Sequence, residues 1–508
     1  MRKKIISLAI VSLLVFSVLG IFIIALASTQ QTLPEFKTMD IGPELRKYTL
    51  PENNDIRDLL LDKDSGGGGA AIKQSTDYYD IGDQRTWAVY DIFANWYGYP
   101  IDFALFELRA IGDIAEVWVQ VDLSYPDSSV DIVTTEHAEY ILGEYESNIY
   151  PTCAEYFGAP DPWFGYGPFF EENGRHIILI SNVRDTQYYF PEYPYFVIGF
   201  YWGLIEYLYE RNIITLDSLA WDIISGPPIH AYDATTAHEL QHLIHDDYNP
   251  ADATFMNEGC SVFAETLCGY GIPWNDINSY LATPDNSLTE WDDQPYNDLA
   301  DYGQAYLWAM YLTDHFGSDF LSNHVQSGLP GIDGLNYALT PHGTSFLEVY
   351  HDWRIANLIH WGDGVYNYES IDLNGKDVQQ ARVYEVPKLP VPLMTGSDFG
   401  STITILGYDT GISTVKPFGT DYIRFDSGKY ISKAWTETLY FDGDNIAIVG
   451  WQDVGGYWWS DDYDLMNTLL VGEAYVSPEN PILELTTYWD IEDNWDFGFV
   501  QIYNSDTA

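Results

Sequence analysis

Positive charge is what this chain has least of: 22 Lys and Arg stand against 76 Asp and Glu, a formal net charge of -54 over 508 residues. That shortage excludes nucleic acid as a partner, because phosphate binding needs clustered Lys and Arg. It equally excludes docking on an anionic membrane surface. It does not imply disorder, since 46% hydrophobic and 16% aromatic residues supply ample core material. The shortage is also concentrated: between Arg211 and Arg354, residues 212–353 hold 21 Asp or Glu and no Lys or Arg. Cysteine is almost as rare. Cys153, Cys260 and Cys268 form an odd, widely spaced set that excludes a disulfide framework. Cys260 and Cys268 fall on one expected helix and cannot pair with each other, so all three read as buried thiols. Long apolar runs are limited to one, Ile5 to Ala27, which excludes a multi-pass membrane domain.

That run follows Met1-Arg2-Lys3-Lys4 and ends in Ala25-Leu26-Ala27 before Ser28. A basic start, an apolar stretch and an A-x-A site make residues 1–27 a signal peptide, or an N-terminal anchor if uncleaved. Either way the bulk of the chain is exported, as a secreted protein or one held at the cell surface by that segment. The anchor is the only membrane contact expected. Residues 28–75 are polar and end near Ser65-Gly66-Gly67-Gly68-Gly69, which reads as a propeptide or linker. Residues 76–130 read as a small β-rich region, with a strand at Thr86–Asp91 and a hairpin of Ala104–Ile111 and Ile114–Asp122 across Gly112-Asp113. A helix over Val133–Tyr145 and the apolar strand His176–Ile180 follow. Helical periodicity returns at 234–246, 256–270 and 302–316. Residues 131–375 are thus the expected α+β core domain. After Pro387, Pro390 and Pro392, short strands and Gly/Asp turns predict an all-β sandwich within 376–508.

The chemistry concentrates in Thr236-Ala237-His238-Glu239-Leu240-Gln241-His242. Histidines at i and i+4 share one helical face, so their imidazoles converge on one ion, and Glu239 between them can reach a metal-bound water. Catalytic zinc needs a third protein ligand and an open fourth position. Met256-Asn257-Glu258-Gly259-Cys260-Ser261 reads as the start of an antiparallel second helix, which would bring Glu258 to the histidine pair. A third histidine ten residues after the first would be the alternative, but Tyr248 stands there, and His245 occupies the glycine position that pattern needs. His245 therefore reads as a neighbour of the site or a surface residue. Asp246, Asp247 and Asp252 fit a solvated or calcium-holding loop, so a structural Ca²⁺ joins the one catalytic Zn²⁺ as an expected cofactor.

HELQH followed by FMNEGCSVFAE resembles the gluzincin metallopeptidases, and within them the hyicolysin-type family. The resemblance covers roughly residues 78–360, taking in Ile81-Gly82-Asp83-Gln84-Arg85-Thr86-Trp87, the hairpin around Gly112, and Asp301-Tyr302-Gly303-Gln304-Ala305-Tyr306-Leu307. It implies a zincin-like catalytic domain with His238, His242 and Glu258 as zinc ligands and Glu239 as general base. Gluzincins often carry a carboxylate four residues after the ligand glutamate. Val262 stands there in this chain, and Glu265 reads either as the substitute acceptor for a ligand histidine or as a helix-surface carboxylate. By likeness to the Tyr-x-x-Gly helix of gluzincin aminopeptidases, Tyr302 is the oxyanion-stabilising hydroxyl and Tyr306 its runner-up. Pro481–Glu492 and Trp495–Ile502 resemble the jelly-roll module of immune-inhibitor-A-type metallopeptidases, here truncated or completed unusually. The expectation is an exported zinc endopeptidase acting on polypeptides. The alternatives are a zinc aminopeptidase and a catalytically silent surface or adhesion protein on the same scaffold.

Overall fold

A computed structural model describes residues 37–48, 79–165, 171–291 and 298–360, with shorter stretches inside 364–386, 417–427 and 452–459. The expected signal peptide lies outside the described residues, as does nearly all of the expected sandwich. Among the described residues no helix is long and apolar enough to cross a membrane. The chain divides into two compact units, Met1–Tyr430 and Ile431–Ala508. In the second, the described part is one antiparallel pair, Gln452–Asp453 with Trp458–Trp459.

The first unit is α+β. Its described strands in chain order are β1 (Lys37–Met39), β2 (Gln84–Tyr90), β3 (Ile101–Ile111), β4 (Ala115–Gln120), β5 (His176–Ser181), β6 (Tyr195–Val197), β7 (Gly199–Tyr201), β8 (Ile213–Asp217), β9 (Arg382–Val386) and β10 (Ile423–Ser427), the last two a parallel pair of their own. Six of them form a sheet in the order β2-β3-β4-β5-β8-β7. The first three pair antiparallel, while β5 lies parallel to both β4 and β8. The β3–β4 hairpin turns where Gly112-Asp113 places it, closed by the Gly112 amide donating to the Ala115 carbonyl at 2.9 Å. With parallel neighbours at both edges and a core packed on each face, β5 is buried throughout, and its centre, Ile177–Ile180, is continuously apolar instead of alternating.

Alternation reappears in where each side chain goes. Trp118, Ile177 and Leu179 join a smaller core with Trp87, Phe106 and Phe200 on one face of the sheet. Val117, Val119, Ile178 and Ile180 point to the other face and into the helical core. On that second face lies the helix Ala231–Tyr248, followed by Thr254–Leu267, Trp274–Ala282 and Asp298–Phe316. The expected helix over Val133–Tyr145 is present as Thr135–Glu144. It is N-capped by Thr134 and runs through one π turn, Tyr145–Ile149, into Tyr150–Phe157.

Glycine sets two close approaches among these helices. A Cβ on Gly259 would sit 2.9 Å from the Ala305 carbonyl oxygen, and one on Gly303 would sit 2.0 Å from that of Asp276. Bare backbone at these points lets Asp298–Phe316 lie against both neighbouring helices. All three cysteines are buried, and the Sγ atoms of Cys153 and Cys268 are 3.7 Å apart. Phe418 and Tyr422, placed by sequence in the 376–508 region, sit in the first unit against the helix Phe346–Ile359. There the Tyr422 hydroxyl donates to the Arg354 carbonyl at 2.6 Å and Arg354 donates to that of Phe418.

Candidate metal centre

The helix Ala231–Tyr248 is buried along most of its length, between the sheet and Thr254–Leu267. Its one-turn spacing puts His238 and His242 side by side, ring centroids 4.7 Å apart. Thr254–Leu267 presents Glu258 to both. Glu258 Oε2 lies 3.4 Å from His238 Nε2 and 3.2 Å from His242 Nε2. These three atoms are buried and none has a hydrogen-bond partner. Orphaned polar atoms at such depth are costly unless something else satisfies them. Two ligand atoms each about 2 Å from a tetrahedral ion stand about 3.3 Å apart, so the spacing fits a metal. The donor set of two imidazoles and a carboxylate suits zinc better than calcium or magnesium.

Each ligand is held from behind. His238 Nδ1 is 2.8 Å from Glu265 Oε1, which fixes a proton on Nδ1 and leaves the Nε2 lone pair toward the site. His242 Nδ1 lies 3.0 Å from Ser261 Oγ, whose own proton goes to Gln241 Oε1. Gln241 in turn meets His245 Nδ1 at 3.1 Å, and His245 Nε2 meets Asp252 Oδ2 at 2.8 Å. The same carboxylate oxygen takes His324 Nε2 at 2.7 Å, while Oδ1 accepts the Ala253 and Gly331 amides. Burial works against ionising Asp252, but the two imidazoles hold its carboxyl well below the usual range. His245 is therefore a buried support of the site. Asp252 does not fit the solvated or calcium-holding loop expected for it, because both its oxygens are already used inside the protein. Asp246 and Asp247 are also engaged, accepting from the Tyr201 hydroxyl at 3.0 Å and the Asp161 amide at 2.7 Å.

Glu239 is buried beside the ligands, and its Oε2 accepts the Tyr201 amide at 2.6 Å. Burial pushes its carboxyl well above the usual range against the pull of His238, and Asp40 and Glu258 add to the rise. Burial opposes ionising Glu258 too, yet His242 and Arg46 hold that carboxyl well below its usual range. Tyr302 packs edge-on to His238 with ring centroids 6.3 Å apart. Tyr306 lies elsewhere, its hydroxyl within 3.2 Å of Thr266 Oγ1. The five residues singled out from sequence, His238, Glu239, His242, Glu258 and Tyr302, are thus brought to one place.

Two participants were not anticipated, and both come from the stretch read as propeptide or linker. Asp40 joins His238, His242 and Glu258 in a group whose ligand atoms all lie within 4.8 Å of one another. Its Oδ2 accepts the Tyr302 hydroxyl at 2.7 Å. Arg46 donates to Asn257 Oδ1 at 2.9 Å and pairs with Glu258 Oε1. No spacing rule ties residue 40 to residue 258, so only the folded chain reveals them.

No protein-family model matches this chain, and no curated protein matches it. The functional reading rests on the site itself.

Proposed function

We propose that this protein is an exported zinc-dependent endopeptidase. The observation that carries the reading is the convergence of three buried, unpartnered ligand atoms from His238, His242 and Glu258 beside the buried carboxyl of Glu239. A bound zinc ion would supply Lewis acidity, lowering the pKa of a coordinated water toward about 7 and polarising a peptide carbonyl. Glu239 accepts the proton of the attacking water and returns it to the leaving amine. Anchoring of its Oε2 on the Tyr201 amide fixes the direction of that transfer. Tyr302, beside His238, donates to the oxygen that gains charge as the carbonyl becomes tetrahedral. Glu265 and Ser261 hold the two imidazoles in the tautomer that ligation requires. Export follows from the basic and apolar pattern of residues 1–27.

The test is metal analysis of the purified protein together with hydrolysis of casein and of an N-terminally blocked peptide, with and without chelator. Stoichiometric zinc and chelator-sensitive cleavage of both substrates are expected. Cleavage restricted to free N-termini would make it an aminopeptidase, and absence of metal would leave the silent adhesion scaffold. Glu239→Gln should retain zinc and lose at least about 10²-fold in turnover, as expected for loss of a general base. A variant that turns over near the wild-type rate would remove Glu239 from the mechanism.

A further inference from the structure

We infer that residues 37–48 are a built-in inhibitor of this site: Asp40 supplies the fourth ligand, and substrate cannot enter until the segment leaves. The inference rests on the peptidase reading for its consequence, although not for its geometry. Zinc with three protein ligands keeps a position open for chemistry, whereas four protein ligands close the coordination sphere. Asp40 contributes the fourth donor of the group. Its other carboxylate contacts hold it there. Oδ2 accepts the Tyr302 hydroxyl at 2.7 Å, and Oδ1 accepts the Gly42 amide at 2.6 Å. The hydroxyl proposed to meet the reacting carbonyl is thus already committed to the inhibiting carboxylate.

The rest of the segment is fastened to the same surroundings. β1 adds to β6 in parallel register, with Lys37 opposite Tyr195 and Met39 opposite Val197. Ile41 and Leu45 are buried in the smaller core with Trp202 and Val197. Tyr48 packs against Tyr99 and Trp202, ring centroids 5.9 and 5.6 Å away. At the far end of the short helix Gly42–Leu45 from Asp40, Arg46 covers the outer oxygen of Glu258 and bonds Asn257 beside it. A spacer with a purely structural role would need the apolar anchors alone. Placing a carboxylate among three ligands and a guanidinium on one of them is chemistry directed at the metal site. The occupant is this chain's own segment, held by an acid that ligates and a base that neutralises.

The experiment uses the full exported chain, its Asp40→Asn variant, and Asp40→Ala as a second variant should the first fold poorly. The readout independent of activity is amide hydrogen exchange across residues 37–48, with and without one equivalent of zinc. Zinc should slow exchange in this segment at least about 10-fold in the wild type and leave it unchanged in the variant, because only the wild type ties the segment to the ion. Casein hydrolysis by the intact variant should exceed that of the intact wild type by at least about 10-fold. Exchange that ignores zinc in the wild type would overturn the inference, as would a zinc-loaded variant no more active than an active wild type. Zinc-dependent protection without hydrolysis by any form would sustain the inhibitory contact while defeating the peptidase reading, so the two fail separately.

Discussion

At the scale of single residues, the candidate site shows how much of a metal-binding geometry lies behind the residues that could ligate. Glu265 touches only the far nitrogen of His238, at 2.8 Å. Carboxylates in that position fix the tautomer and raise the basicity of the ligand, and losing one typically costs 10- to 100-fold in metal affinity. Glu265→Ala should therefore weaken zinc binding by about that factor in a chelator competition while the apo-protein melts near the wild-type temperature. An unchanged affinity would reduce Glu265 to a surface carboxylate. Asp252 supports the site from further away, and its role is stability. Its truncation to Ala would strip acceptors from the buried His245 and His324 and from two backbone amides. Breaking a buried polar network by removing one partner costs on the order of 3–5 kcal/mol. Denaturant unfolding of metal-free Asp252→Ala should show a loss of that order, and a loss below about 1 kcal/mol would count against the network.

At the scale of elements, local sequence was a good guide wherever one period or one turn decided the structure. The i, i+4 spacing put both histidines on one face, Gly112-Asp113 marked its hairpin, and the unbroken apolar run at 177–180 marked a strand, which the fold buries on both sides. It was a poor guide wherever the deciding contact was remote. Asp40 and Arg46 sit in polar sequence without periodicity, and their partners lie more than 200 positions away. The place of Phe418 and Tyr422 against Arg354 was hidden for the same reason. Gly303 lies between these cases: it was visible as part of Asp301–Leu307, but its purpose appears only in packing. Because a Cβ there would fall 2.0 Å from the Asp276 carbonyl oxygen, Gly303→Ala must push Asp298–Phe316 away from Trp274–Ala282. Overpacking of this kind costs about 1–3 kcal/mol. Tyr302 is the adjacent residue, so the variant should lose turnover at unchanged zinc content as well as thermal stability. A variant that melts and turns over like the wild type would show that the helices tolerate the shift.

At the scale of the whole molecule, the acidity noted first acquires a direction. Several carboxyls of the first unit are buried with too few cations to balance them. Burial pushes Asp185 up to about 6 and Asp247 up to about 7, and drives Asp217 and Glu206 well above the usual range. A group whose pKa is raised on folding stabilises fully below its unfolded value, near 4, and loses that contribution as pH rises through the folded value. His176 acts in the opposite sense. Burial, with Arg211 nearby, pushes it down to about 3, so its penalty develops only as pH falls below about 6.5. Asp185 has largely ionised by pH 6.5, so between pH 6.5 and 8 the effect falls to Asp247, Asp217 and Glu206, which act without opposition from His176, and growing repulsion in a chain of net charge -54 adds to them. The metal-free protein should melt several degrees lower at pH 8 than at pH 6.5 in low salt. Added salt should shrink the part due to long-range repulsion and leave the part due to the buried acids, which salt screens much less. A melting temperature that is flat or rising across this interval would mean that these carboxyls are ionised in the folded chain, and that cations absent from the sequence neutralise them from solution.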